Sequence, residues 1–278
     1  MKIFIFGSRG MAGHMIKEYF MKETDYDIVI SSREESSDKN HYKIDILNDE
    51  KVLAALDDAK PDIIINCTGI LNDEAERNQE LALKVNGVFP HRLAKWANEN
   101  HKKVIQISTD CVFKGDRGNY AETDKPDGAT SYAISKRVGE LMSDRHITIR
   151  TSIIGPEIKR NGIGLFQWFM NQKGKIHGYQ KVKWNGITTL QLAKVIDAMI
   201  KNDCSGLYHI TAPHPITKHH LLKMLQSIFQ KNDVIITPVN APVLDRTLKA
   251  TRKDFHCQIP NYETMLFELK EWMNRCDR

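Results

Sequence analysis

The sequence predicts an α/β fold, a doubly wound parallel sheet followed by a smaller C-terminal lobe. Three observations predict it. Short apolar runs rich in Ile and Val recur through the N-terminal half, helical patterns separate them, and the first run ends directly in glycines at 7, 10 and 13. Strands buried on both faces read as near-continuous apolar runs, and strands alternating with helices form parallel sheets.

The first predicted strand is 2–6, and a helix follows at 11–22. Gly7 lets the chain turn off the strand, Gly10 lets backbone approach a pyrophosphate, and Gly13 lets the helix pack close to the sheet. The helix start adds free N–H groups and a positive dipole end. The spacing is G-x-x-G-x-x-G rather than G-x-G-x-x-G. This is a Rossmann-type dinucleotide turn.

The second strand, 27–31, leads into Ser32-Arg33. An acidic residue here bonds the ribose of NAD, whereas Ser32 and Arg33, joined by Arg9, suit a 2′-phosphate. The sequence favours NADPH; Glu34 and Glu35 leave NADH open. Asp45-Ile46, after a short strand-like run, is a candidate for the adenine edge. A helix at 48–57 carries Asp49 and Glu50 in its first turn, where negative charge suits the dipole, and Pro61 follows as a stop.

The strand 62–66 runs into Cys67-Thr68-Gly69. Ligands sit at the carboxyl ends of parallel strands, so these three small residues are cofactor-lining candidates. A helix is expected at 79–99, then a strand at 103–107 ending in Ser108-Thr109-Asp110. A helix at 131–143 places Tyr132 and Lys136 four residues apart on one face. An ammonium beside a phenol lowers its pKa from about 10 and makes it an acid–base catalyst. A hydroxyl from the strand end would orient the substrate oxygen. The strand 146–150 completes this half.

After Gly155-Pro156 the pattern loosens. A helix near 164–172, a polar stretch at 173–186 and a helix at 189–201 are expected, then short elements at 207–210, 217–230 and 234–237 and a last helix near 261–275. The division is a cofactor-binding part over 1–156, rejoined by about 185–205, and a mainly substrate-binding lobe over 157–278.

The 278 residues are 41% hydrophobic, enough for a substantial core, and the net charge of +5 is scattered rather than blocked. That argues against nucleic acid and suits a polyanionic small molecule. Five cysteines lie far apart with no C-x-x-C pair, which argues against a disulfide framework and a zinc site; no metal is expected. The apolar run before Gly7 is too short for a signal peptide, and no run approaches a membrane span, so a cytoplasmic location is expected. A homodimer is compatible with all of this.

Longer motifs add a resemblance. They are Gly7-x-x-Gly10-x-x-Gly13, Asp62-Ile-Ile-Ile-Asn66, Val85-Asn86 and Ser108-Thr109-Asp110-Cys111-Val112-Phe113-Lys114-Gly115. Tyr120-Ala-Glu122, Ser131-Tyr132-Ala-Ile-Ser-Lys136-Arg-Val-Gly139-Glu140 and Arg150-Thr151-Ser152 continue the set. Together they resemble the extended short-chain dehydrogenase/reductases, and within them the dTDP-4-dehydrorhamnose reductase branch, well over 1–156 and weakly beyond.

The resemblance implies an NAD(P)-dependent oxidoreductase that reduces the 4-keto group of a nucleotide-activated 6-deoxysugar, for surface polysaccharide synthesis. It makes Thr109, Tyr132 and Lys136 the catalytic three, with Tyr132 and Lys136 also touching cofactor. It gives Met11 and Ala12 backbone contacts to the pyrophosphate, and Asn86 a structural or water-relay role.

Two residues depart from the pattern: Ile153 stands where rhamnose-forming members have Trp, and Cys111 where they have Tyr. Both touch the sugar pocket, whose candidates are Thr109, Asp110, Cys111, Tyr132 and Ile153. Cys111 also stands where GDP-fucose synthase carries its base cysteine, and His177 and Lys183 are weak matches for that enzyme's histidine. The alternatives are therefore a 4-epimerase, a 3,5-epimerase/4-reductase, or a non-catalytic subunit resembling the methionine adenosyltransferase beta subunit. Dehydration is disfavoured, because dehydratases carry Asp-Glu after the catalytic Thr.

Overall fold

The computed structural model describes residues 1–158 and 162–276. Its six N-terminal strands are β1 (Lys2–Phe6), β2 (Asp27–Ser32), β3 (His41–Lys43), β4 (Ile63–Asn66), β5 (Lys103–Ile107) and β6 (Ile147–Arg150). The strand Gly206–His209 joins β6 to make seven, all parallel, in the order Gly206–His209, β6, β5, β4, β1, β2, β3. The chain reverses direction across the sheet between β1 and β4. A crevice therefore opens at their carboxyl ends, the usual ligand position in such sheets.

The first half also holds α1 (Met11–Glu23), α2 (Asp49–Ala59), α3 (Asn72–Arg77), α4 (Gln79–Ala82), α5 (Phe89–Glu99) and α6 (Ser131–Val138). Then come α7 (Leu165–Asn171), α8 (Thr189–Lys201), α9 (Lys218–Ile228) and α10 (Tyr262–Cys276). Side chains alternate across a strand. Ile3 and Ile5 of β1 pack with Ile16 and Phe20 of α1 and Leu192 and Ile196 of α8. Phe4 and Phe6 face the other way, among Leu56 of α2 and Phe89 and Leu93 of α5. Each such buried side chain contributes roughly 1.5–3 kcal/mol.

Residues from Ile187 to Ala212 pack into the first of these clusters, with α8 on the sheet and Tyr208 in the last strand. The lobe has its own core, in which Phe169, Ile176, Trp184, Leu221 and Leu225 meet Leu266 of α10.

Four local expectations are refined or corrected. The helix expected at 79–99 runs uninterrupted over those residues, with a π-helical segment, Leu83–Val88, between α4 and α5. The helix expected at 131–143 stops at Val138. There Gly139 lies so close to Asn86 that a Cβ would come within 1.9 Å of its carbonyl oxygen, and the main-chain N–H and carbonyl of Leu141 bond the Thr148 hydroxyl instead of continuing the helix. The polar stretch 173–186 holds two strands, Gly174–Tyr179 and Val182–Trp184. Only alternate residues such as Ile176, Val182 and Trp184 turn inward, so no apolar run shows. The strand expected at 234–237 extends over Val234–Val239, paired in parallel with Gly174–Tyr179.

Candidate active site

A cleft of about 320 Å³ opens at the carboxyl ends of β1, β2 and β4. It is lined by Gly7, Arg9, Gly10, Ser32, Arg33, Asp45, Ile46, Cys67, Thr68 and Gly69, which the sequence singled out. Glu34, which the sequence left as an NADH alternative, and Val85 of the Val85-Asn86 motif also line it; Ser31, Ile44, Leu47, Ile70 and Leu81, which the sequence did not single out, complete the lining. Gly7 has φ +76°, and a Cβ there would lie 2.9 Å from the Cys67 carbonyl carbon. A Cβ on Gly13 would lie 2.2 Å from the Gly7 carbonyl oxygen, so Gly13 sets the close packing of α1 on the turn.

Gly10 caps α1 with no side-chain acceptor, and the first turn holds no acidic residue. The first N–H groups of the helix, those of Met11, Ala12 and Gly13, thus have no intrahelical partner. Free donors at a positive helix end fit a dinucleotide pyrophosphate.

Further along the cleft, Arg9 forms an ion pair with Glu34 at 2.8 Å. The Ser32 hydroxyl donates to the Glu34 carbonyl at 2.9 Å and lies 2.9 Å from His41 Nε2. Ser32 and Arg9 are therefore already engaged, and Arg33 stands exposed at the rim of the cleft. Asp45 shapes its turn by accepting from the Leu47 N–H at 3.0 Å. The Thr68 N–H and hydroxyl both donate to Asn66 Oδ1. Asn66 in turn donates to Gln106 at 2.7 Å, which fixes the end of β4 against β5.

The chemistry-bearing residues gather where β5 ends. Thr109 Oγ1 accepts from the Cys111 N–H at 3.1 Å and donates to Asp110 Oδ1 at 3.2 Å. Tyr132, on α6, lies beside Thr109, Asp110 and Cys111. Burial drives its phenol above the ordinary value; Cys111 and Asp110 add to this, and the Thr109 hydroxyl opposes it.

Lys136 is buried and donates to the Ile107 carbonyl at 2.6 Å. Burial draws its ammonium down to about 8, opposed by Glu140 and by Cys67 in the cleft wall. The expectation that Lys136 lowers the Tyr132 pKa is corrected here. The ammonium is directed at the Ile107 carbonyl, and burial dominates the phenol. Tyr132 is consequently protonated at neutral pH, the form needed in a proton donor.

Behind these groups lies a buried network. Glu140 takes Arg150 through both carboxylate oxygens at 2.7 Å and accepts from the Ser108 hydroxyl at 2.7 Å. Asn86 sits in the π-helical segment and exchanges two hydrogen bonds with the backbone of Ile70, each 2.9 Å, while donating to Ser135 at 3.0 Å. Its geometry is that of a structural clamp between the cleft loop and α6.

On the substrate side the Cys111 thiol is pushed up to about 12, first by burial and then by Asp110. A thiol so held is neutral at rest. Neither His177 nor Lys183 completes a pair with it: His177 is exposed, and Lys183 is bound to Asp245 at 3.0 Å. Ile153 packs against the sheet core and pairs with Ile187, which places it in the framework. Trp184, which the sequence did not single out, donates to the Ser152 hydroxyl at 2.7 Å and so brings an aromatic ring beside the Arg150-Thr151-Ser152 triplet. Lys218 and Arg246 were also missed. They reach Asp110 and Cys111 from the lobe, and no local pattern marks them.

Comparison with known proteins decides the family. The model of the RmlD substrate binding domain family matches residues 1–274. The chain belongs to that family. A probable low-salt glycan biosynthesis reductase of Haloferax volcanii is 34% identical over 144 residues, 50% of this chain and 48% of that protein, so the match spans about half the relative's length. A dTDP-4-keto-6-deoxy-D-glucose reductase of Streptomyces niveus is 27% identical over 208 residues, 71% of each chain. The crystal structure of the dTDP-4-dehydrorhamnose reductase of Bacillus anthracis, in complex with NADP, superposes with TM-score 0.83 at 22% identity over 99% of both chains. That likeness establishes the α/β fold of the RmlD family member described here. Among the described residues no helix is long and apolar enough to cross a membrane.

Proposed function

We propose that the protein reduces the 4-keto group of a nucleotide-activated 6-deoxysugar with NADPH. One observation carries the reading: Thr109, Tyr132 and Lys136 meet at the end of β5, and Lys136 faces Cys67 in the wall of the glycine-turn cleft. The family, and the names of the Haloferax and Streptomyces relatives as reductases, support it.

The start of α1 would hold the pyrophosphate, and Arg9 and Arg33 the 2′-phosphate. The bound nicotinamide would supply a hydride to the carbonyl carbon. The Tyr132 phenol, kept neutral by burial, gives its proton to the carbonyl oxygen as charge develops there. Thr109 steadies that oxygen, and the Lys136 ammonium, held by Ile107, supplies positive charge to the same end of the site. Fixed donors and charges in a water-poor site stabilise developing charge far more than they would in water.

The neutral Cys111 disfavours an epimerase step. Cofactor oxidation over a panel of nucleotide 4-ketosugars tests the reading, with product stereochemistry by NMR. Oxidation with a single 4-hydroxy epimer as product is expected. No oxidation with any member would overturn it.

A further inference from the structure

Lys218 opens α9 in the lobe, more than 100 residues from the β5 end, yet its side chain reaches that end. Its ammonium lies 4.6 Å from the centre of the Trp184 ring. Trp184 is itself fixed by its bond to Ser152. Asp110 and Cys111 are the ionisable groups that act on Lys218. Among the described residues its Nζ makes no hydrogen bond and no ion pair.

The surroundings are unbalanced. Arg246 reaches the same place, donating to the Phe113 carbonyl at 3.0 Å and lying 3.7 Å from the Cys111 sulfur. Two cations thus face one carboxylate, that of Asp110. Burial draws the Lys218 ammonium down to about 8, against the pull of Asp110. This half-buried ammonium has the face of the Trp184 ring beside it but, among the described residues, no hydrogen-bond acceptor, and a polar group in that position is costly. Such a group next to catalytic side chains marks a functional site more often than a structural one.

We infer that Lys218 is a specificity-determining residue of the substrate side, whose ammonium receives an anionic group of the nucleotide sugar. This rests on the reductase reading of the cleft. The anion has two sources of the same chemistry, the nucleotide diphosphate or a carboxylate on the sugar.

The test is calorimetric binding by wild type, Lys218→Met, Lys218→Gln and Lys218→Arg. The probes are dTDP, UDP, UDP-glucose and UDP-glucuronate, with NADPH as a check on the fold. Loss of a charge-assisted contact weakens binding by about ten- to a hundred-fold. The Met and Gln variants are expected to lose that much for at least one anionic probe, the Arg variant to keep most of it, and all three to bind NADPH as wild type does. Loss already seen with dTDP or UDP assigns the diphosphate. Loss seen only with UDP-glucuronate, and not with UDP-glucose, assigns a sugar carboxylate. Equal binding of every probe by wild type and by the Met and Gln variants, including no binding by any of them, overturns the inference. Binding is read without turnover, so a failed ketosugar panel would sink the reductase reading and leave this result standing.

Discussion

The Lys136 ammonium donates to the Ile107 carbonyl at 2.6 Å and so ties α6 to the end of β5. The contact fixes where Tyr132, one helical turn earlier, presents its hydroxyl. It also keeps a positive charge beside Cys67 in the wall of the glycine-turn cleft.

That charge predicts a pH limit. Burial holds the Lys136 pKa at about 8, below the ordinary lysine value, so its charge is lost as pH rises through that region. Turnover at saturating substrate should fall along an alkaline limb near pH 8. Lys136→Arg stays charged and should remove the limb, even if it lowers the rate. A flat profile from pH 7 to 10 in wild type would contradict the assignment.

The Glu140–Arg150 pair predicts a stability effect. Both side chains are almost wholly buried, 4% and 3% exposed. Glu140→Gln leaves the Arg150 charge without its partner, and breaking a buried pair this way costs about 3–5 kcal/mol. Urea unfolding should show that loss. A change below about 1 kcal/mol would mean that water or His209, 3.3 Å from Arg150, replaces the carboxylate.

Much of this arrangement is legible in the sequence, for identifiable reasons. The turn at Gly7 and the two-sided strands β1, β4 and β5 are written in local patterns, because backbone geometry and burial act within a few residues. Tyr132 and Lys136 share a helix face for the same reason. Trp184, Lys218 and Arg246 carry no such mark. They come to Asp110 and Cys111 only through the packing of the lobe on the sheet. The strand Gly174–Tyr179 was hidden because it is half exposed and polar. The early end of α6 was hidden because it depends on the Gly139–Asn86 contact, which joins distant segments.

Cofactor choice follows from the cleft rim. Arg33 is exposed and, among the described residues, makes no ion pair, while Arg9 is held by Glu34. Arg33→Ala should weaken NADPH by about 1–3 kcal/mol and NADH by much less. Calorimetric titration of both cofactors reads this directly, and equal losses would remove the 2′-phosphate role.

Cys111 offers a separate check. Its thiol is pushed up to about 12, so it holds its proton under working conditions. In deuterated water the substrate should gain no deuterium at sugar positions 3 or 5. Exchange that disappears in Cys111→Ser would establish an epimerase base and overturn the simple-reductase account.

The central claim is that Tyr132 gives the proton. Tyr132→Phe removes only the hydroxyl and leaves Lys136 on Ile107. The decisive measurement is turnover of wild type and Tyr132→Phe on a ketosugar that the wild type reduces, read beside cofactor affinity. General acid catalysis is worth about 10²–10⁴-fold. Turnover should fall by that factor with cofactor affinity unchanged; near wild-type turnover in the Phe variant would contradict the account.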